Sequence, residues 1–263
     1  MIFITLSSVN QHKNKHCGIL KVDSYLIVNR IILCYNFCVK DFFKCFGFEL
    51  SGEQLQLFDK YYRILTDYNE KFNITAITEK NEVYLKHFAD SLLGAKFIDG
   101  NFIDIGSGGG FPAIPLKIFN SELKATLLDA TGKKCEFLKE VVKELNLKDV
   151  NVICGRAEEL AHDKLYREKF DCATARAVAS LPVLTEYCLP FVKNGGKFVA
   201  FKGDAEEELK NAENAVKILG GKIEEVKKFD LSGNLRTIIV IKKEKSTETL
   251  YPRSNAKIRK KPL

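Results

Sequence analysis

No two cysteines of this chain are spaced C-x-x-C, and none of the eight (Cys17, Cys34, Cys38, Cys45, Cys135, Cys154, Cys172, Cys188) joins a histidine cluster at zinc spacing. That excludes a cysteine-based zinc site, and no metal is expected. Methionine occurs once, at Met1. No apolar run reaches the ~20 residues of a membrane-spanning helix; Tyr25 to Val39 comes nearest and is interrupted by Asn29, Arg30 and Asn36. A secretory signal is not expected either, because Met1 to Leu6 lacks a basic run before it and a small-residue cleavage pattern after it. There is no internal repeat. Unpaired cysteines in core elements read as small buried hydrophobes of a reducing setting, so a cytoplasmic location without membrane contact is expected.

What is present describes a globular chain. The 263 residues, 46% hydrophobic, suffice for one large α/β domain with appendages. Forty-one lysines and arginines against 34 acids leave a net charge of +7, which permits an anionic partner without demanding one. Four regions are expected: a leader over 1–39, a helical extension over 40–98, a core over 99–243 and a basic tail over 244–263. The leader holds one acid, Asp23, and no clear period. Of three readings (translation from upstream of a start near Val39, an acid-poor transit peptide, a genuine extra element) the first is preferred.

Ser51-Gly-Glu-Gln54 fits a capping box, followed by Leu55, Phe58, Tyr62, Leu65 and Phe72 at helical spacing. A second helix is expected over 82–93, both packing over one edge of the core. From Asn101 onward strands alternate with helices. Apolar runs lie at Phe102–Ile105, Ala125–Leu128, Val150–Cys154, Phe170–Ala175 and Phe198–Phe201, with helical stretches near 112–119, 133–146, 180–192 and 204–219. This alternation implies a parallel sheet covered on both faces. Lys222–Asp230 and Arg236–Ile241 flank the turn cluster Leu231-Ser-Gly-Asn-Leu235, too short for a helix, so that pair is antiparallel. Seven strands in a Rossmann-like α/β core follow.

The first strand runs into Gly106-Ser-Gly108-Gly-Gly110-Phe-Pro112. A dinucleotide fingerprint needs its last glycine at position 111, which is Phe. G-x-G-x-G is instead the pattern of class I methyltransferases that bind S-adenosylmethionine. Asp129 closes the second strand, placed either to accept from ribose hydroxyls or to cap the next helix. Arg156-Ala157-Glu158 follows the third strand, where an adenine should lie, and Ala175-Arg176-Ala177 ends the fourth, level with the transferable methyl. All four sites sit at carboxyl ends of parallel strands, where open α/β sheets bind ligands.

These stretches, with Lys133-Lys-Cys-Glu-Phe-Leu138, Phe201-Lys-Gly203, Tyr251-Pro-Arg253, Asn69-Glu-Lys-Phe-Asn73 and His87-Phe-Ala-Asp90, resemble the RsmG (GidB) family over about residues 40–263. Ala113 stands where that family usually has glycine. The resemblance implies transfer of a methyl group from S-adenosylmethionine to N7 of a guanine in the 530 loop of bacterial 16S ribosomal RNA, free or in the small subunit. It further implies that Gly106, Gly108 and Phe111 bind the cofactor, Asp129 its ribose, Ala157 and Glu158 its adenine end, and that Arg176 lines the methyl-transfer site.

Guanine N7 carries a lone pair and no proton, so no general base is expected and none is assigned. The chain lacks the N-P-P-Y or D-P-P-Y of amino-group methylation, and neither Cys172 nor Cys188 follows a proline as a C5 nucleophile would. Arg176 aimed at N7 would block the attacking lone pair, so a cofactor-carboxylate or phosphate role is preferred over an ion pair with Asp104 or Asp171. Lys202 either reaches RNA phosphate or is a solvated strand end. His87 and Asp90 share a helical face, read as a surface pair rather than a lid. Eight basic residues from Lys242 to Lys261 stand against Glu244 and Glu248; among them Arg253, Lys257, Arg259 and Lys260 are expected to meet phosphate. The alternatives kept open are a small-molecule or protein methyltransferase on the same core, and a non-catalytic ribosome-binding relic.

Overall fold

The computed structural model describes residues 39–263, so what was read from positions 1–38 lies outside the described residues. Five strands run parallel: β1 (Asn101–Ile105), β2 (Lys124–Asp129), β3 (Val150–Cys154), β4 (Phe170–Arg176) and β5 (Val192–Lys202). β6 (Gly221–Leu231) and β7 (Asn234–Lys243) form the hairpin, with β7 antiparallel to both β5 and β6. Ser232 and Gly233 close it with φ of 53° and 80°, the left-handed pair that a two-residue hairpin turn requires. The sheet order is β3-β2-β1-β4-β5-β7-β6. The chain winds outward from β1 to β3, then restarts at β4 on the other side of β1. The switch point between β1 and β4 opens a crevice at the strands' carboxyl ends.

Alternating residues feed two cores. On one face Phe102, Cys172, Val199 and Val240 pack with the N-terminal helices; on the other Ile103, Ala173, Phe198 and Ile241 pack with the later ones. The first face carries α1 (Val39–Cys45), α2 (Gly52–Phe72) and α3, together with α4 (Ala113–Phe119) and α5 (Gly132–Glu144). α3 runs Lys80–Val83, widens into a π-helical turn over Tyr84–Ala89 and closes over Asp90–Leu92. The second face carries α6 (Ala157–Leu160), α7 (Leu181–Cys188), α8 (Glu206–Ile218) and α9 (Asn255–Lys260).

The capping box forms: Ser51 Oγ accepts from Gln54 N at 3.2 Å while Gln54 Oε1 accepts from Ser51 N at 2.8 Å. Gln54 Nε2 then donates to the carbonyls of Ile118 and Phe119, satisfying the end of α4 as well. The preface lies across a face of the core, not over its edge. Tyr61 and Phe88 stack at 5.2 Å and reach Phe111 after the glycine loop, which an edge placement would leave in water. The helical stripe is Phe58, Tyr61 and Leu65, with Tyr62 only half-buried.

The tail folds back onto the core. Arg167 donates to the carbonyls of Thr247, Glu248 and Tyr251, His162 Nε2 bonds the Pro252 carbonyl at 2.8 Å, and Ile258 is fully buried. Lys243, one of the eight basic residues, is fully buried too, donating to the Leu189 carbonyl and paired with Glu168. Cys135, Cys172 and Cys188 are buried free thiols, as small hydrophobes should be, whereas Cys154 is exposed.

Candidate functional site

The glycine loop leaves β1 and doubles back under β2: the amides of Gly106 and Ser107 both donate to the Leu128 carbonyl, at 2.8 and 3.1 Å. Gly106 has φ 72°, and a Cβ there would stand 2.6 Å from Val178 Cγ2, so no other residue fits. At Gly108 (φ 58°) a Cβ would meet nothing nearer than a carbonyl at 3.8 Å, which leaves open space above the loop. Asp129 is buried, and its two oxygens hold two backbone segments: Oδ2 accepts from Gly108 N and Oδ1 from Thr131 N, each at 2.9 Å. It therefore ties the loop to the start of α5. Each oxygen keeps a second lone pair for a ligand.

Asp104, in the middle of β1, is fully enclosed. Its Oδ1 accepts from Thr174 Oγ1 at 2.7 Å, while Oδ2 is buried with no partner among the described residues. Burial pushes its carboxyl up to about 6, against the Thr174 hydrogen bond that lowers it. A buried carboxylate oxygen without a donor, beside a glycine cradle, fits an amino acid's ammonium group.

Arg176 ends β4 and is not paired with Asp104 or Asp171. Asp171 is engaged by Lys193 and the amide of Asn101. Arg176 Nη1 instead donates to Asp90 Oδ2 at 2.9 Å and to the Lys86 carbonyl, and Nη2 to His87 Nδ1 at 3.2 Å. Asp90 is only 6% exposed, and its other oxygen accepts from Arg236 Nε at 3.0 Å. His87 and Asp90 are thus not a surface pair. The π-helical turn of α3 brings both against β4. His87 Nδ1 stands 3.2 Å from both the Arg176 guanidinium and the Lys86 carbonyl, while Nε2 faces Thr75 Oγ1 at 2.8 Å, so both ring nitrogens are engaged. Burial, helped by the neighbouring guanidinium of Arg176, pushes the imidazole down to about 3, so it stays neutral. Phe111 is buried beneath this cluster, stacked on His87 at 4.4 Å with the Arg176 guanidinium 5.0 Å from its ring centre.

Behind Arg176 lies a cavity of about 380 Å³. Lys202 lines it with its side chain 10% exposed, donating to the Ala179 carbonyl at 2.7 Å and paired with Glu208 at 2.6 Å. It is a pinned wall of the cavity, not a solvated strand end. Ala157 and Glu158 open α6, on the far side of the crevice, where a second groove of about 720 Å³ runs between α6 and α9. The tail residues divide. Arg253 grips the fully buried Glu186 through Nε at 2.9 Å and Nη2 at 2.6 Å, whereas Lys257, Arg259 and Lys260 are exposed along α9.

Residues 54–238 match the family model described as GidB, rRNA small subunit methyltransferase G. The chain is 51% identical over 223 residues to the ribosomal RNA small subunit methyltransferase G of Acetivibrio thermocellus, covering 83% of this chain and 92% of that one. It is 49% identical to the protein of the same name from Lactobacillus acidophilus, covering 82% and 94%. The chain belongs to the rRNA small subunit methyltransferase G family. A solved structure of a SAM-dependent methyltransferase from Aquifex aeolicus, 16% identical, covers 64% of this chain and 96% of its own at TM-score 0.50, and shows the shared class I methyltransferase fold.

Three groups gathered here have places that the sequence did not show. Asp104 stood as an acid inside the apolar run F-I-D-I and was weighed only as an ion-pair partner of Arg176. Tyr61, whose hydroxyl donates to the Gly109 carbonyl, sat at helical spacing between Phe58 and Leu65 without being singled out. Arg236 gave no signal, because its partner Asp90 lies 146 residues away.

Proposed function

We propose that this chain methylates N7 of a guanine in the 530 loop of 16S ribosomal RNA, with S-adenosylmethionine as methyl donor. Family membership at about half identity supports the reaction class. The observation that carries the choice of atom is the state of the titratable groups around Arg176. His87 is held neutral with both ring nitrogens engaged, and both oxygens of Asp90 are occupied by arginines. Neither of these groups beside Arg176 is poised as a general base, which suits a nucleophile that brings a lone pair and has no proton to lose.

Gly106 and Gly108 would cradle the donor, the free oxygen of Asp104 would accept from its ammonium group, and Asp129 would receive its ribose hydroxyls. Ala157 and Glu158 would bound the adenine. When bound, S-adenosylmethionine supplies an electrophilic methyl group on a sulfonium. The protein's part is alignment, since an in-line displacement depends on the approach of nucleophile to carbon. Phe111, clamped between Tyr61 and His87, stiffens the loop, and Arg176 is held by Asp90 and His87 so that it borders the methyl-transfer position without covering it. Lys257, Arg259 and Lys260 would meet RNA phosphates, with Arg253 anchoring the segment that carries them.

On this reading the protein works beside ribosomes in the cytoplasm. The test is to map N7-methylguanine in 16S ribosomal RNA from cells with and without the gene. A modification lost with the gene and restored by it is the expected result. An unchanged 530 loop would sink the reading in favour of a small-molecule or protein acceptor.

A further inference from the structure

We infer that the cavity behind Arg176 seats the acceptor base, and that Glu208 Oε1 reads the Watson–Crick edge of a guanine there. This rests on the guanine reading above and adds how the base is told from others.

Position comes first. At the carboxyl end of the sheet, the glycine loop stands over β1, Arg176 and Ala177 over β4, Lys202 and Gly203 over β5, and Arg236 over β7, whose antiparallel course starts at that end. The cavity lies on the β5 and β7 side of Ala177, and Val178 touches Gly106 on the other. A base seated in it approaches the donor from across β4. Ile77, Phe201 and Ile238 give it apolar walls suited to the faces of a flat ring. Bases of single-stranded RNA loops can be splayed into such a slot.

The charged atoms of the lining are nearly all spent. Asp90 holds Arg176 and Arg236, Lys86 holds Glu82 at 2.7 Å, and Lys202 holds Glu208. Glu208 Oε2 takes both Lys202 and the Leu181 amide, each at 2.6 Å. What is left among the described residues is one carboxylate oxygen of the lining that accepts no hydrogen bond, Glu208 Oε1, and, among the donors, Nη2 of Arg236, whose Nε and Nη1 are bound to Asp90 and the Leu235 carbonyl, beside Nε of Arg176. Guanine presents the complement: O6 accepts beside the reacting N7, while N1–H and the N2 amino group donate from the other edge. Adenine carries a donor at position 6 and no proton on N1 or amino group on C2, so it would leave both protein groups unmatched. The carboxylate also faces a base that becomes cationic when N7 takes the methyl group, so its charge favours the product side of the transfer.

The experiment compares kcat/KM of the full chain on 16S ribosomal RNA carrying guanosine or inosine at the modified position, as free RNA or reconstituted subunit, whichever the protein methylates. Inosine keeps N7, O6 and N1–H and lacks only the 2-amino group. The expected result is methylation of inosine at least roughly tenfold slower, the loss of one charge-assisted hydrogen bond. In Glu208→Ala the guanosine-to-inosine ratio falls towards one while calorimetric affinity for S-adenosylmethionine stays within error. A structural role for Glu208 would depress both RNAs alike and leave the ratio standing, which overturns the assignment. Equal rates on the two RNAs in the unaltered protein overturn it too, and this arm decides even if the variant fails to fold. No methylation of the guanosine RNA would instead sink the function proposed above.

Discussion

The two halves of the crevice are built by different means. On the side of the glycine loop, Asp104 and Asp129 lie within one strand-loop-helix-strand passage, and apart from the Thr174 hydroxyl on Asp104 the bonds that shape it run from backbone amides to a carbonyl or carboxylate. On the other side, Asp90, Arg176, Glu208 and Arg236 come from four separate elements, and charged side chains bind one another across 86 and 146 residues of sequence. A backbone-shaped site is written in glycine spacing. A site made of side-chain ion pairs exists only once the sheet has formed.

That contrast predicts unequal costs. The largest effect is expected at Asp90: its alanine variant strands two arginines at a largely buried position, so denaturant unfolding should show a loss on the order of 3–5 kcal/mol, with methylation abolished. A loss below about 1 kcal/mol would mean that the network is not what joins α3 to the sheet. Asp129→Ala should instead spare most stability and lower S-adenosylmethionine affinity roughly tenfold or more, a charge-assisted bond being worth about 1.5–3 kcal/mol. Unchanged calorimetric affinity would leave Asp129 as a tie between backbone segments only.

Asp104 sharpens the cofactor side through pH. Its carboxyl is raised from the usual aspartate range to about 6, so the free protein takes up a proton as pH falls through that value. An ammonium ligand binds the ionised form. Affinity should therefore hold above pH 6 and fall roughly tenfold for each pH unit below it, while Asp104→Asn binds weakly with a flat profile. The sign for stability is opposite: between the unfolded value near 3.8 and about 6 the native state holds the extra proton, so this group's contribution fades as pH rises through that window.

Smaller effects test the periphery. Neutralising Lys257, Arg259 and Lys260 together should lower the log–log salt slope of RNA binding by up to about 2, at roughly 0.7 per phosphate contact, with cofactor affinity unchanged. Arg253 is left intact because it neutralises the buried Glu186. An unaltered slope would make α9 a structural cap on α7. Least of all, a chain beginning at Val39 should unfold at the same denaturant concentration as the full chain. Cutting further, past the fully buried Phe43, should cost about 3–5 kcal/mol, as loss of a buried phenylalanine does.

The sequence by itself determined the parallel core, the hairpin that closes it, the capping box at Ser51 and the glycine loop that follows β1. Each depends on local chemistry: apolar runs of strand length, turn residues with left-handed φ, a hydroxyl three residues before a reciprocating amide. Only the tertiary structure decided that His87 and Asp90 face inward, that Lys202 spends its charge on Glu208, and that Arg253 holds Glu186 while Lys257, Arg259 and Lys260 stay exposed. Helical spacing puts His87 and Asp90 on one face but does not say what that face meets. A charged side chain's role is set by which opposite charge the fold brings within 3 Å in a poorly hydrated place, and that partner leaves no trace in its neighbours along the chain.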